Sequence, residues 1–445
     1  MTTTPNILDV QTRKGHGQSK RRTVKRSDQA QWDPKRRSFD PVYLLIAANR
    51  DRIPELLPIK MARMAASPFS FYRGSVPLMA ADLATLPVTE INVRICGDAH
   101  VRNLGAFAGP DGRLYFDIND FDETVVGPWE WDVKRLAASL VLAGREAGNS
   151  DQLCRQAVRV FMKTYREAML RFSAMPKLEM AKYRVHRPFI GPPAKSVLRK
   201  AEHSTPLQNL EKLTVKKRNG AFHFKNAKPF LYPVSKSVAA AVLKALAGYR
   251  ETLSPERRHL FDFYQPVDVA FKIVGIGSVG QRDYVVLHFA GGADDPLFLQ
   301  VKEETQSSYA PLVTSTSDYR NQGQRVVEGQ RAIQTQSDLL LGWTSFEGRD
   351  YLVRQLSDHK ASIADEDLRG KGLTLYAHTC GELLAKGHAR SGDPCTLAGY
   401  FGTGPNLDKA IEQFAVAYAD QVTLDYEKFR DAIRAGRIKA ARKAS

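Results

Sequence analysis

The chain has 445 residues, 43% of them hydrophobic and 25% charged, with a formal net charge of +17. That length exceeds the ~250–300 residues at which single cores stop growing, so more than one unit is expected, in a composition ordinary for a soluble globular protein. No run approaches the ~20 apolar residues of a membrane span, and Cys96, Cys154, Cys380 and Cys395 lack the spacing of a zinc knuckle or disulfide framework, which fits a reducing cytoplasm.

Residues 1–40 include "TRKGHGQSKRRTVKRSDQAQWDPKRRSF", rich in basic residues, poor in large aliphatics and without helical or strand period. This reads as a disordered basic arm, either solvated or touching an anionic partner such as nucleic acid, an acidic protein or a membrane surface. With no apolar stretch behind its charges it has the form of neither a secretory signal nor an anchor. Residues 41–66 have helical character with a break at Pro54, "AASPFSFYRGSVPLMAADLA" follows as a loop and short helix, and "TEINVRICGD" reads as a buried strand. Two short strands are expected around Gly109-Pro110-Asp111-Gly112, then helical period from Glu130 to about Phe172.

Residues 175–235 are basic and mixed, with a hairpin expected around Asn219-Gly220 that is either a surface insertion or a binding surface for an anionic substrate. A helix is expected over "VSKSVAAAVLKALAGYRETL", strands over 267–302 and at "GRDYLVRQL", and helices again over about 364–437.

In "VGIGSVGQRDYVVL", Gly275, Gly277 and Gly280, with Ser278 among them, spell G-x-G-x-x-G. A dinucleotide-binding turn needs a helix to open at the last glycine, whereas a β-branched and aromatic run follows here. The glycines therefore belong to a hairpin tip, where backbone N–H groups can close over phosphates. The next strand, "PLFLQVKEE", carries Lys302 among apolar neighbours, and an inward lysine needs an anionic partner. A nucleotide's phosphates would serve, with Glu328 of the following helix holding the lysine. Glu303 and Glu304, sent to opposite faces by alternation, are expected to meet water.

Within "RICGDAHVRNLGAF", Asp98 and Asn103 have the D-x-x-x-x-N spacing in which an aspartate orients an acceptor hydroxyl while an asparagine reaches Mg²⁺. With His100 the stretch resembles the H-G-D-x-H-x-x-N loop of aminoglycoside phosphotransferase-like kinases, with Cys96 where those enzymes usually have the first histidine. A metal aspartate should follow across a hairpin. In "LYFDINDFDETVVGPWEWDVKRLA", alternation puts Asp120 and Asp122 on one face and Asp117 on the other. Asp120 is preferred and Asp117 is the alternative, because Asp132 lies twelve positions beyond Asp120, as in the I-D-W…D-L-A segment of those kinases. Asp132 is expected at a helix start, accepting backbone N–H groups of the preceding loops. Arg73 in "FYRG" can pair with a phosphate or with one of these carboxylates.

The polar loop thus precedes the glycine loop, the reverse of a kinase. In the C-terminal third, "RDYLVRQLSD" resembles the strand leading into a kinase hinge. "LTLYAHTCGELLAKGHARSGD" resembles the helix before the catalytic loop, with Leu384, Ala385, His388 and Ala389 in its L-a-x-x-H-a pattern. The chain finishes where an ordinary kinase would enter that loop, a join that circular permutation predicts. Taken whole, the chain resembles the bacterial family designated domain of unknown function 2252, through "SPFSFYRG", "GDAHVRNLGAF", "FDINDFDET", "GPWEWDVKRLAAS", "VGIGSVGQRDYVVL", "LFLQVKE" and "LAKGHARSGD", over roughly residues 40 to 435.

The resemblance implies an α+β, two-lobed, protein-kinase-like fold, circularly permuted. Its expected parts are the disordered arm 1–40, a helical catalytic-lobe segment 41–264, a β-rich nucleotide-binding lobe 265–358, and helices 359–445 completing the catalytic lobe. The expected activity is ATP- and Mg²⁺-dependent phosphotransfer to an unknown small-molecule or protein hydroxyl. Asp98 and His100 would be catalytic; Gly275, Gly277, Ser278, Gly280, Lys302 and Glu328 would bind the nucleotide; Asn103 with Asp120 or Asp117 would hold the metal. Nucleotidyl transfer on the same scaffold is an alternative, as is a non-catalytic nucleotide- or nucleic-acid-binding protein using the arm and the 211–229 hairpin.

Overall fold

The computed structural model describes residues 8–184, 192–202, 205–273, 275–313, 319–356 and 361–441. At the centre of its helical part lies Trp129–Glu146, buried at every position from Trp129 to Gly144. A helix with no face in water must satisfy its polar side chains internally. This one does so for four of them by holding the chain that precedes it. Glu130 accepts from Thr89 N (2.7 Å), Asp132 from Cys96 N (2.8 Å) and Gly97 N (2.9 Å), and Ser139 from Val101 N (3.2 Å), while Arg135 Nε donates to Asp98 Oδ1 (2.8 Å). Asp132, Arg135 and Ser139 recur at helical spacing, so one stripe of the helix fixes one loop. The role expected of Asp132 is the one observed.

Against this helix pack Asp151–Ser173, Lys371–Ser391 and Asn406–Arg434, the last two from the far end of the chain. Their apolar faces form a single core that also takes in the strand Asn92–Ile95. Nearby, Leu104–Ala108 pairs with Leu114–Ile118, the hairpin expected around Gly109–Gly112, and with Ala361–Ser362.

Separate apolar clusters surround a six-stranded antiparallel sheet, ordered Gly342–Phe346, Arg349–Gln355, Pro296–Glu304, Asp283–Phe289, Gln265–Lys272, Leu231–Pro233. Pro296–Glu304 is buried throughout. Its period of two divides it: Leu297, Leu299 and Val301 pack with Val242, Leu246 and Tyr249 of the helix Lys236–Glu251. Phe298 packs on the other face with Leu210, Leu213 and Phe224. Along that second face Phe298 is followed by Gln300, Lys302 and Glu304, all three of which line a cleft. The architecture is α+β, with antiparallel pairing in every strand ladder described.

Three expectations are corrected. Residues 8–40 are not a disordered arm: Val10–Ser19 is a helix packed on Pro394–Phe401, and several of the basic side chains are engaged within the chain. Arg37 bridges Asp82 (2.9 Å) and Asp425 (2.7 Å), Arg13 meets Asp393 (2.9 Å), and Arg21 and Arg26 donate to the carbonyls of Tyr400 (2.9 Å) and Phe401 (2.8 Å). The β-rich unit also begins before residue 265, since Leu231–Pro233 and Lys236–Glu251 belong to it. The hairpin expected around Asn219-Gly220 is present, Thr214–Lys216 pairing with Phe222–Phe224. Between Ser67 and Ala84 the chain forms two helices, Pro68–Gly74 and Val76–Leu83, in place of a loop and one. Among the described residues no helix is long and apolar enough to cross a membrane.

Candidate functional site

The loop after Asn92–Ile95 turns at Gly97, where φ is +82° and a Cβ would lie 2.2 Å from the carbonyl oxygen of Glu123; only glycine fits. That turn delivers Asp98 to Arg135, whose guanidinium sits 4.4 Å from the centre of the Tyr72 ring and donates to Asp98 Oδ1 through Nε (2.8 Å) and Nη2 (2.5 Å). Asn103 closes the loop, its Nδ2 donating to the Asp98 carbonyl (2.7 Å). His100 accepts at Nδ1 from Arg102 N (3.2 Å), which leaves Nε2 3.7 Å from Asp98 Oδ2. Burial, then the charges of Arg73 and Arg135, hold His100 well below the usual histidine range, so its ring is neutral. Burial raises Asp98 above the ordinary carboxylate value even though Arg135 and Arg73 pull it down.

Lys302 reaches the same region from the sheet. Its ammonium is hydrogen-bonded to Asp122, and Glu304 Oε1 lies 3.4 Å away without hydrogen-bond alignment. Burial alone would lower this lysine; Asp122 and Glu304 outweigh it and raise it. Asp122 is correspondingly held far below the carboxylate range, the lysine charge overcoming its burial.

The glycine turn joins Gln265–Lys272 to Asp283–Phe289, at a hairpin tip as expected. Gly275 and Gly280 have φ of +70° and +92°. The turn is tied down by its carbonyls: Gly280 O accepts from Ile53 N (2.8 Å), Val279 O from Arg52 Nη1 (2.8 Å), and Gly275 O from Arg63 Nη1.

These pieces enclose a cleft of about 670 Å³, within the ~300–1,000 Å³ of small-molecule sites. Asp98, His100, Asn103 and Asp120 line it from the early loops, Lys302 and Glu304 from the sheet, and Gly275, Gly277 and Ser278 from the turn. Arg73 lines it too, with Nε lacking a hydrogen-bond partner among the described residues.

Three expected residues are not brought there. Gly280 supports the turn from behind, against Arg52. Asp117 is turned inward and hydrogen-bonded to the buried Lys386, so it is a core residue, and of the two candidates Asp120 lines the cleft. Glu328 does not hold Lys302; it accepts from Gln324 one turn before it (2.8 Å). Lys302 instead takes Asp122 and Glu304. Nor do Glu303 and Glu304 meet water: both are buried, Glu303 bridging Arg282 (3.3 Å) and Arg349 (2.6 Å). Alternation carried the missing signal for Glu304, which shares a strand face with Lys302 two positions earlier. For Arg135 the signal was its place three positions after Asp132 on one helix face.

A profile of the family described as "Uncharacterized protein conserved in bacteria (DUF2252)" matches residues 52–432. The chain belongs to this family. No curated protein and no solved structure matches it. The DUF2252 match takes in the Asp98 loop, the glycine turn and the Lys302 strand, and leaves out the ordered segment 8–40.

Proposed function

We propose that the chain is an ATP- and Mg²⁺-dependent phosphotransferase on a two-lobed, circularly permuted, protein-kinase-like scaffold. The observation that carries this reading is the convergence of Asp98, Asn103, Asp120, Lys302 and the Gly275–Gly277 turn on one cleft, from segments far apart in sequence. The swapped order is supported by two contacts of the late chain with the segments around the early loop: His388 Nε2 lies 3.2 Å from Asp132 Oδ2, and Ala361–Ser362 pairs with Leu104–Ala108.

In this scheme the Gly275–Gly277 turn and Ser278 cover the triphosphate, and Lys302 neutralises it, exchanging part of its hold on Asp122 for phosphate oxygens. The raised Asp98 accepts the proton of the acceptor hydroxyl as its oxygen bonds to the γ-phosphorus, while the bond from that phosphorus to the β-phosphate oxygen breaks and ADP leaves with the electron pair. Arg135 fixes the carboxylate for that role, and the neutral His100 packs beside it. Among the described residues no three His, Cys, Asp or Glu side chains form a ready-made metal cage. Mg²⁺ needs none, since it binds through one or two carboxylates together with water and phosphate. Asp120 and the Oδ1 of Asn103 are suited to hold it, and when bound it neutralises charge on the transferring group.

The test is magnesium-dependent consumption of γ-labelled ATP by the full chain in the presence of cell extract. Asp98→Asn should lower label transfer by about 10²–10⁴-fold, the usual worth of a positioned acid–base group. Equal rates remove Asp98 from the mechanism, and transfer of an α-label in place of the γ-label makes the reaction nucleotidyl transfer.

A further inference from the structure

One part of the cleft wall carries cations that phosphotransfer at Lys302 does not use. Lys60, in the helix Leu57–Met64, is 3% exposed and donates to Asn49 Oδ1 at 2.8 Å. Asn49 is itself fixed by donating to the Leu45 carbonyl (2.6 Å). Arg52 spends one nitrogen on the Val279 carbonyl (2.8 Å). Among the described residues neither cation has a carboxylate at ion-pair distance, whereas Lys386 and Arg135 each have one and Lys302 has two. Glu123, the acid that acts on both, is committed to Ser308, accepting from its N (2.6 Å) and Oγ (3.0 Å). Burial and the neighbouring Arg52 pull Lys60 well below the lysine range.

A buried lysine beside a guanidinium, with no carboxylate at ion-pair distance, keeps its charge at a cost that a bound anion would offset. Asn49, Arg52, Lys60 and Ser278 all line the cleft, and Arg52 and Ile53 are bonded to the glycine turn itself. We propose that Lys60 and Arg52 form an anion subsite of the cleft, distinct from Lys302, that takes a phosphate group beside the glycine turn. An ammonium as point charge, a planar guanidinium and a hydroxyl are the donor set that a tetrahedral oxyanion satisfies. The phosphate belongs either to the nucleotide or to a phosphorylated acceptor. The inference does not depend on phosphotransfer occurring.

The probe is inorganic phosphate, titrated into the full chain by calorimetry and by thermal melting. The wild type should bind it and melt higher with it. Lys60→Met and Arg52→Gln should each weaken binding at least about tenfold, the loss of one charged contact, while Glu328→Gln, whose side chain lies off the cleft, leaves it within about twofold. Without phosphate, Lys60→Met should melt no lower than the wild type, because a buried ammonium without a counter-ion has gone. A lysine that served only to brace Asn49 would instead leave a lower melting temperature with unchanged phosphate affinity, and that result overturns the proposal, as does absence of binding by the wild type. Should Lys60→Met fail to fold, Arg52→Gln decides alone. Repeating the titration with a non-hydrolysable ATP analogue and magnesium assigns the source: competition means the nucleotide's phosphate, simultaneous binding a phosphorylated acceptor, and either supports the subsite. Phosphate binding that persists in a chain whose Asp98→Asn variant consumes ATP like the wild type would sink the phosphotransfer reading alone.

Discussion

Lys302–Asp122 and Lys386–Asp117 are the same ion pair built twice, on aspartates of one short segment. Their settings differ. The side chains of Lys386 and Asp117 are 2% and 7% exposed, whereas Asp122 is 25% exposed beside a Lys302 that is 5% exposed. Lys302 also has Glu304 at 3.4 Å and Asp283 as its cross-strand neighbour, while Asp117 is the one carboxylate in contact with Lys386 among the described residues. At Lys302 the acids outweigh burial and raise the lysine; at Lys386 burial outweighs Asp117 and lowers it. A structural pair thus contains one charge of each sign and is sealed. The pair in the cleft is open on its acidic side and carries a surplus of carboxylate, a setting suited to polyvalent ligands.

Breaking the sealed pair should have the largest effect. Lys386→Met leaves Asp117 buried without its cation, which costs about 3–5 kcal/mol, measured as a shift of the denaturant midpoint at constant slope. Turnover per folded molecule should not change. A stability loss under 1 kcal/mol would mean that Asp117 is reached by water and that the two pairs are not different in kind.

Breaking the open pair should invert that pattern. Lys302→Met should lower nucleotide consumption by about 10²–10³-fold, as removal of one preorganised donor does, while circular dichroism and melting stay close to the wild type because Asp122 can turn to solvent. If instead the variant unfolds and its residual folded fraction is fully active, Lys302 is a second structural lysine.

The surplus of acid can be sharpened through pH. Burial lifts Asp283 to about 6, although Lys302 and the amide of Gln300 pull it down, from an ordinary value near 4. The folded state therefore holds this proton more tightly than the unfolded chain, and its contribution to stability is full below about pH 4 and lost as pH rises through about 6. Two units correspond to about 2–3 kcal/mol. Asp283→Asn removes that loss, so its stability relative to wild type should be greater at pH 7 than at pH 4 by about that amount. An equal offset at both pH values would show that Asp283 ionises normally.

The contrast between the pairs also marks what sequence alone can show. Asp132 was legible because a carboxylate in the first turn of a helix, after a tight loop, has nearby N–H groups to accept from, and Cys96 and Gly97 supply them. The hairpins at Gly109–Gly112 and Asn219-Gly220 were legible because turn chemistry is local. Asp117 and Asp120 could not be separated, since the lysine that removes Asp117 from the cleft arrives from residue 386. The same holds for residues 8–40, whose arginines look like a solvated arm until Asp82, Asp393 and Asp425 are folded against them. Charge partners distant in the chain are what composition and period cannot supply.

Glu328 gives the smallest expected effect and the finest test. By analogy with kinases it should hold Lys302, yet it is half-buried on Gln322–Ile333 and bonded to Gln324, while the same helix turns Arg325 inward to the carbonyls of Thr124 and Thr305 (2.8 Å each). Glu304, from the lysine's own strand, is instead the second carboxylate at ion-pair distance from it. Glu328→Gln preserves the acceptor that Gln324 uses, so stability should change by less than about 0.5 kcal/mol, and nucleotide consumption should stay within about twofold of wild type. Glu304→Gln should do more, because it removes a charge that raises Lys302. A Glu328→Gln variant as impaired as Lys302→Met would mean that this helix rotates during turnover to bring its glutamate to the lysine, and that the pairing with Glu304 is only the resting arrangement.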